Sequence, residues 1–194
     1  MKIAAIAFAG VTLAMPAAAQ DAALGDRNVF FFGGLMGEGY MHELLNPFAA
    51  TYEDIGIMGA GYQQFFAEPM ENFRVGLEIG AAIRAGANTT GEMWGGVVGR
   101  YDGFTSETGL RITPALTFGV SVVDNTAGVE ARRAAEQGYP GEILFYLSPE
   151  ISVSTVDNPD TEIFWRLHHR SGAWNVLGGG GSANATTIGF RKGF

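Results

Sequence analysis

His169 and Ser171 stand two residues apart in the run Ile163-Phe-Trp-Arg-Leu-His-His-Arg-Ser171. A lone serine is a poor nucleophile, because its hydroxyl keeps its proton at neutral pH. A neighbouring imidazole takes that proton as attack begins and returns it to the leaving alcohol, which is acyl transfer through a covalent ester. On extended backbone, alternate residues share a face and lie about 6.5–7 Å apart, close enough for an imidazole nitrogen to reach a serine oxygen. The chemistry therefore requires that residues 161–171 form a strand. On such a strand Ile163, Trp165, Leu167, His169 and Ser171 share one face, and Phe164, Arg166, His168 and Arg170 share the other.

The other candidate groups read as structural. His168 falls beside Arg166 and Arg170 and belongs to a polar network. His42 next to Glu43 offers one imidazole and one carboxylate, too few ligands for a metal site. There is no cysteine, so neither thiolate metal sites nor disulfides arise. Gly178 to Gly181 lacks a following Lys-Ser/Thr and makes no phosphate cradle. It reads as a hairpin loop able to close over an acyl chain or to give a backbone N–H to an oxyanion. No cofactor and no metal are expected.

Charge narrows the partners. The chain has 12 basic and 20 acidic residues, a formal charge of −8. That disfavours nucleic acid and gives no attraction to anionic lipid. Residues 1–19 hold Lys2, an apolar run from Ile3 to Leu13 and the small residues Ala17, Ala18 and Ala19, the order of a secretory signal. The mature domain is then 20–194, about 175 residues and the size of one domain. Beyond the signal no run of about 18 apolar residues occurs, so a membrane can be crossed only by strands.

Period-two patterning supplies those strands. From Phe73 to Arg84 one face carries Phe73, Val75, Leu77, Ile79, Ala81 and Ile83, while Arg74, Glu78 and Arg84 fall on the other. The stretches Leu110–Val122 and Ile143–Val153 alternate in the same way, with Pro114 and Pro149 inside them as expected bulge markers. Further strands are read over 27–36, 54–66, 92–101, 161–171 and 184–194. The total of eight predicts an all-β, eight-stranded antiparallel up-and-down transmembrane β-barrel. Long connections at 37–53, 85–91, 123–141 and 172–183 face outside, and short turns at 67–71, 102–108 and 154–160 face the periplasm. Ala127 to Gln137 is expected to form one or two helical turns in the third outer loop. In several strands the face opposite the apolar one holds Arg and Glu, which calls for a shared interior that is either wet or salt-bridged. His169 and Ser171 then look out at lipid, near the outer end of the seventh strand.

The His-x-Ser near the end of the penultimate strand, the eight-strand length, the leader and the terminal Phe194 together resemble the PagL lipid A 3-O-deacylase family, the acyloxyacyl hydrolase-like proteins of the bacterial outer membrane. The architecture matches over most of the mature chain, and the specific motif lies within 163–194. The resemblance implies Ser171 as nucleophile and His169 as base, cleaving the ester-linked acyl chain at position 3 of lipid A in the outer leaflet. It also implies a glutamate on the last strand, yet residues 172–194 contain no Asp or Glu. Glu142 and Glu150 have inward parity. Asn184 shares the outward face of the last strand with Phe190 and Phe194, and the unrelated outer-membrane phospholipase A also follows its His-x-Ser with an Asn. Asn184 is therefore the third candidate, with a slower reaction expected because an amide cannot stabilise imidazolium as a carboxylate does. Phospholipid remains a second possible substrate. The rival reading is a non-catalytic barrel with a structural or ligand-binding role.

Overall fold

A computed structural model describes residues 26–173, 176–177 and 182–194. The leader at 1–19, the mature start at Gln20 and the glycine run Gly178 to Gly181 lie outside the described residues.

Nine strands and two helices follow one another: β1 (Arg27–Gly37), α1 (Met41–Leu44), β2 (Tyr52–Met70), β3 (Phe73–Ala85), β4 (Thr89–Tyr101), β5 (Phe104–Thr105), β6 (Leu110–Val123), α2 (Gly128–Gln137), β7 (Ile143–Thr155), β8 (Asn158–Ser171) and β9 (Ser182–Gly193). Each long strand pairs antiparallel with its sequence neighbour, β4 pairs β6, and β1 pairs β9, which closes an eight-stranded barrel. The two-residue β5 hangs on the end of β6. Closure removes the open edges that a flat sheet would present.

The alternation read from the sequence becomes the barrel wall. Leu77, Ile79 and Ile83 of β3, Leu116, Phe118 and Val120 of β6, and Ile151 and Val153 of β7 are all exposed, as are Ile188 and Phe190 of β9. Such a belt has no place in water and marks a surface that meets hydrocarbon. No helix among the described residues is long and apolar enough to cross a membrane.

The opposite face fills the lumen. Near the middle, Phe30, Phe32, Trp94, Tyr146 and Phe164 form an aromatic cluster. Gly80 makes room for it, since a Cβ there would lie 2.1 Å from Trp94 Cζ2. Around the cluster run buried ion pairs. Arg166 donates to both oxygens of Glu78 at 2.9 Å and to Glu150 at 2.8 Å, and Arg191 reaches Glu150 and Glu162. Toward the outer end, Arg84 holds Glu92 and Glu130, and Arg170 holds Glu130. Desolvated charges are tolerated only when paired, and each of these guanidinium and carboxylate groups has an ion-pair partner.

Several sequence expectations need correction. The second outer connection is only 86–88, because β3 and β4 extend further than alternation alone indicated. The prolines do not mark bulges: Pro114 pairs Ile151 and Leu116 pairs Pro149 in an unbroken register. Both prolines lie on the outward face, and register shifts fall instead at Leu35/Gly37, Phe65/Ala67, Ala67/Met70 and Val153/Thr155. The helix expected over Ala127 to Gln137 is α2, closed by Gly138 in the left-handed conformation with φ 69°.

Candidate functional site

β8 and β9 bring the candidate residues together by register. His169 is directly opposite Asn184, and Ser171 is opposite Ser182. In an antiparallel pair, opposed residues project from the same face, so the outward parity of His169 gives Asn184 the same outlook. The His169 Nδ1 and Asn184 Oδ1 atoms are 2.5 Å apart. Asn184 Nδ2 donates to the Gly39 carbonyl at 2.9 Å.

Those two contacts determine the protonation pattern of the ring. A carbonyl oxygen only accepts, so the amide nitrogen of Asn184 must face Gly39 and its oxygen must face the imidazole. That oxygen also only accepts, and Nδ1 must therefore carry the hydrogen. The lone pair of neutral His169 is left on Nε2, the tautomer a general base requires.

His169 is not open to lipid, contrary to the bare outward face read from the sequence. It is 8% exposed, and Leu167 on the same face is fully buried. The cause is the first outer loop, whose helix α1 packs against β8 and β9 from outside the barrel. Leu44 is buried against Gly37, and Glu43 accepts a hydrogen bond from the Tyr40 backbone at 2.6 Å. The spacing of Met41, Leu44 and Leu45 is a helical one that fits this role, but four residues are too few for periodicity to stand out in a loop.

Between this roof and the wall lies a cavity of about 710 Å³. Met41 and Leu45 line it from the loop, and Phe118, Phe145 and Leu147 line it from β6 and β7, together with His169, Ser171, Gly172 and Ser182. Phe118 and Phe145 stack with centroids 5.9 Å apart. A cavity with mostly apolar walls and a few polar groups suits a ligand with a long apolar part and a polar junction. Ser171 Oγ makes no hydrogen bond among the described residues, to His169 or to any other group.

The neighbouring groups have other partners. His168 faces the lumen, with Nδ1 3.1 Å from Tyr146 Oη and Nε2 2.9 Å from Glu92 Oε1. Arg170 is fully buried, donating to Ser121, Glu130 and the Glu142 carbonyl, so it does not reach over the rim. His42 stacks on Tyr40 and lines the cavity mouth. Among the described residues no three His, Asp or Glu side chains converge as metal ligands.

No protein-family model matches the chain, and no curated protein matches it in sequence. The barrel is similar to a crystal structure of the outer membrane enzyme PagL. That match has a TM-score of 0.61 at 12% identity and covers 85% of this chain and 98% of the other. Neisserial surface protein A matches with a TM-score of 0.49 at 11% identity, covering 89% of this chain and 99% of the other. The N-terminal β-barrel domain of Pseudomonas aeruginosa OprF matches with a TM-score of 0.47 at 10% identity, covering 89% and 100%. What the chain shares with PagL at this identity is the fold. That fold is an outer-membrane type of eight-stranded barrel.

Proposed function

We propose that this protein is an outer-membrane ester hydrolase that removes an ester-linked acyl chain from lipid A, with Ser171 as nucleophile, His169 as general base and Asn184 as the residue that orients the base. One observation carries the reading: the His169–Asn184 hydrogen bond presents Nε2 at the same apolar, lipid-side cavity that Ser171 lines. The resemblance to the PagL-type deacylases, read from His-x-Ser and the barrel length, supports the choice of substrate.

In this reading an acyl chain lies along Phe118, Phe145 and Leu147 while the ester carbonyl stands at Ser171. The Ser171 hydroxyl proton passes to His169 Nε2 as Oγ bonds to the carbonyl carbon. The tetrahedral intermediate collapses, its C–O bond to the sugar breaks, and the sugar oxygen takes the proton from the imidazolium. Water, deprotonated by the same nitrogen, then cleaves the acyl-serine to free fatty acid and Ser171. Asn184 orients the ring but adds no negative charge, so the imidazolium intermediate is less stabilised than beside a carboxylate.

The test is mass spectrometry of lipid A from outer membranes carrying the protein, with Ser171→Ala as control. Loss of one hydroxyacyl mass, dependent on Ser171, is the expected result. Identical lipid A in both samples would favour a non-catalytic barrel, the reading that the unpartnered Ser171 hydroxyl and the missing carboxylate favour.

A further inference from the structure

The hydrogen bond that turns Asn184 toward His169 depends on the position of the Gly39 carbonyl, which belongs to the first outer loop rather than to the barrel. That segment is gripped from a third direction. Arg133, on α2 of the third outer loop, donates from Nη2 to the Glu38 carbonyl at 2.9 Å and from Nη1 to the Ser182 carbonyl at 2.6 Å. Nη1 also stands 3.2 Å from Ser182 Oγ, which itself accepts from Asn184 Nδ2 at 3.4 Å. The guanidinium carbon lies 4.4 Å from the centroid of the Tyr40 ring. One side chain thus touches the residues on both sides of Gly39 and the residue two before Asn184.

We propose that Arg133 is a positioning residue of the site, holding the Gly39 carbonyl and the start of β9 so that the Asn184 amide keeps His169 Nε2 available to Ser171. The proposal rests on the hydrolase reading above. A planar fork with five donors suits the task, since two carbonyls and an aromatic face are engaged at once, which an ammonium cannot do. The helix that presents it is itself fixed, because Glu130, three residues earlier, is buried between Arg84 and Arg170. Alignment of the base therefore depends on the third outer loop, although the hydrogen bond of His169 goes to Asn184 and not to that loop.

The test compares Arg133→Met, Arg133→Lys and the neighbouring Arg132→Met, all refolded in detergent, by two readouts. The first is nitrogen NMR of the imidazoles, resolvable because the chain has only 3 histidines. The expected outcome is a single Nδ1–H tautomer of His169 in the wild type and in Arg132→Met, a tautomer mixture in Arg133→Met, and His168 unchanged throughout as a sign of an intact barrel. The second is ester hydrolysis on lipid A, where kcat is expected to fall about 10- to 100-fold in Arg133→Met with little change in KM, as for small misplacements of catalytic groups. Arg133→Lys should recover part of that loss. An unaltered His169 tautomer in Arg133→Met, or an equal loss in Arg132→Met, would overturn the proposal. Absence of hydrolysis by the wild type would instead count against the hydrolase reading, and the NMR arm would still decide the role of Arg133.

Discussion

At the scale of single residues, the proposed hydrolysis rests on the Asn184 amide holding the His169 ring through Nδ1. Replacing Asn184 with Ala removes the acceptor that holds Nδ1–H, and the ring is free to turn. Hydrolysis is expected to fall by about 10²-fold in kcat, with the barrel still folded, as a lipid A deacylation time course would show. The reaction also needs neutral imidazole, so its rate should drop as acid protonates His169; a rate independent of pH from neutral to mildly acidic would contradict a histidine base. The catalytic roles of His169, Ser171 and Asn184 belong to the proposal; that the three share one face was legible from strand parity, with which the β8–β9 register agrees. The roof over them was not, since a loop-borne turn of helix leaves no period to detect. Nor was Arg133, because its contacts with Glu38 and Ser182 join residues of three separate loops and strands that no local pattern links.

At the scale of the elements, the strands hold the site by filling the lumen behind it. Arg166 on β8 neutralises Glu78 and Glu150, and Arg166→Met leaves Glu78 buried without its ion-pair partner. A loss of about 3–5 kcal/mol in urea unfolding from lipid vesicles is expected. Gly80→Val would drive a side chain into the Trp94 ring and should cost stability without touching any site residue, read in the same assay. At the periplasmic turn, burial tends to raise the Asp102 carboxyl, but Arg100 and Arg74 more than reverse this and hold it below its ordinary value of 3.8. Its share of stability is therefore full above that value and lost as the pH falls below it. The strands themselves were largely readable, because outward positions of β3, β6 and β7 are mostly apolar and the intervening ones mostly polar or small, Leu144 and Val123 being exceptions. Their ends were not, for pairing carries β3 and β4 past the last alternating residue. The effect of the prolines was also unreadable, since an outward proline can interrupt hydrogen bonding without shifting register.

At the scale of the whole molecule, the barrel is a closed and filled post rather than a channel. The aromatic cluster and the ion pairs occupy the lumen from Arg191 to Arg84, and α2 drops Glu130 into the outer end. Planar bilayers containing the protein should show no steady ion conductance; a stable open pore would mean that the interior pairing is wrong. The proposed hydrolysis is accordingly assigned to the outside of the barrel, in the cavity between the wall and the first outer loop. That cavity opens toward the belt of exposed side chains, so a substrate held in the membrane can reach it sideways.

The central claim is that Ser171 is an activated nucleophile on that outer wall. It is tested most directly by treating the refolded barrel with a serine-directed fluorophosphonate and measuring intact mass, followed by peptide mapping. The account predicts one adduct, on Ser171, absent in Ser171→Ala and formed far more slowly in His169→Ala. No adduct on the folded wild type, or the same adduct in Ser171→Ala, would contradict it.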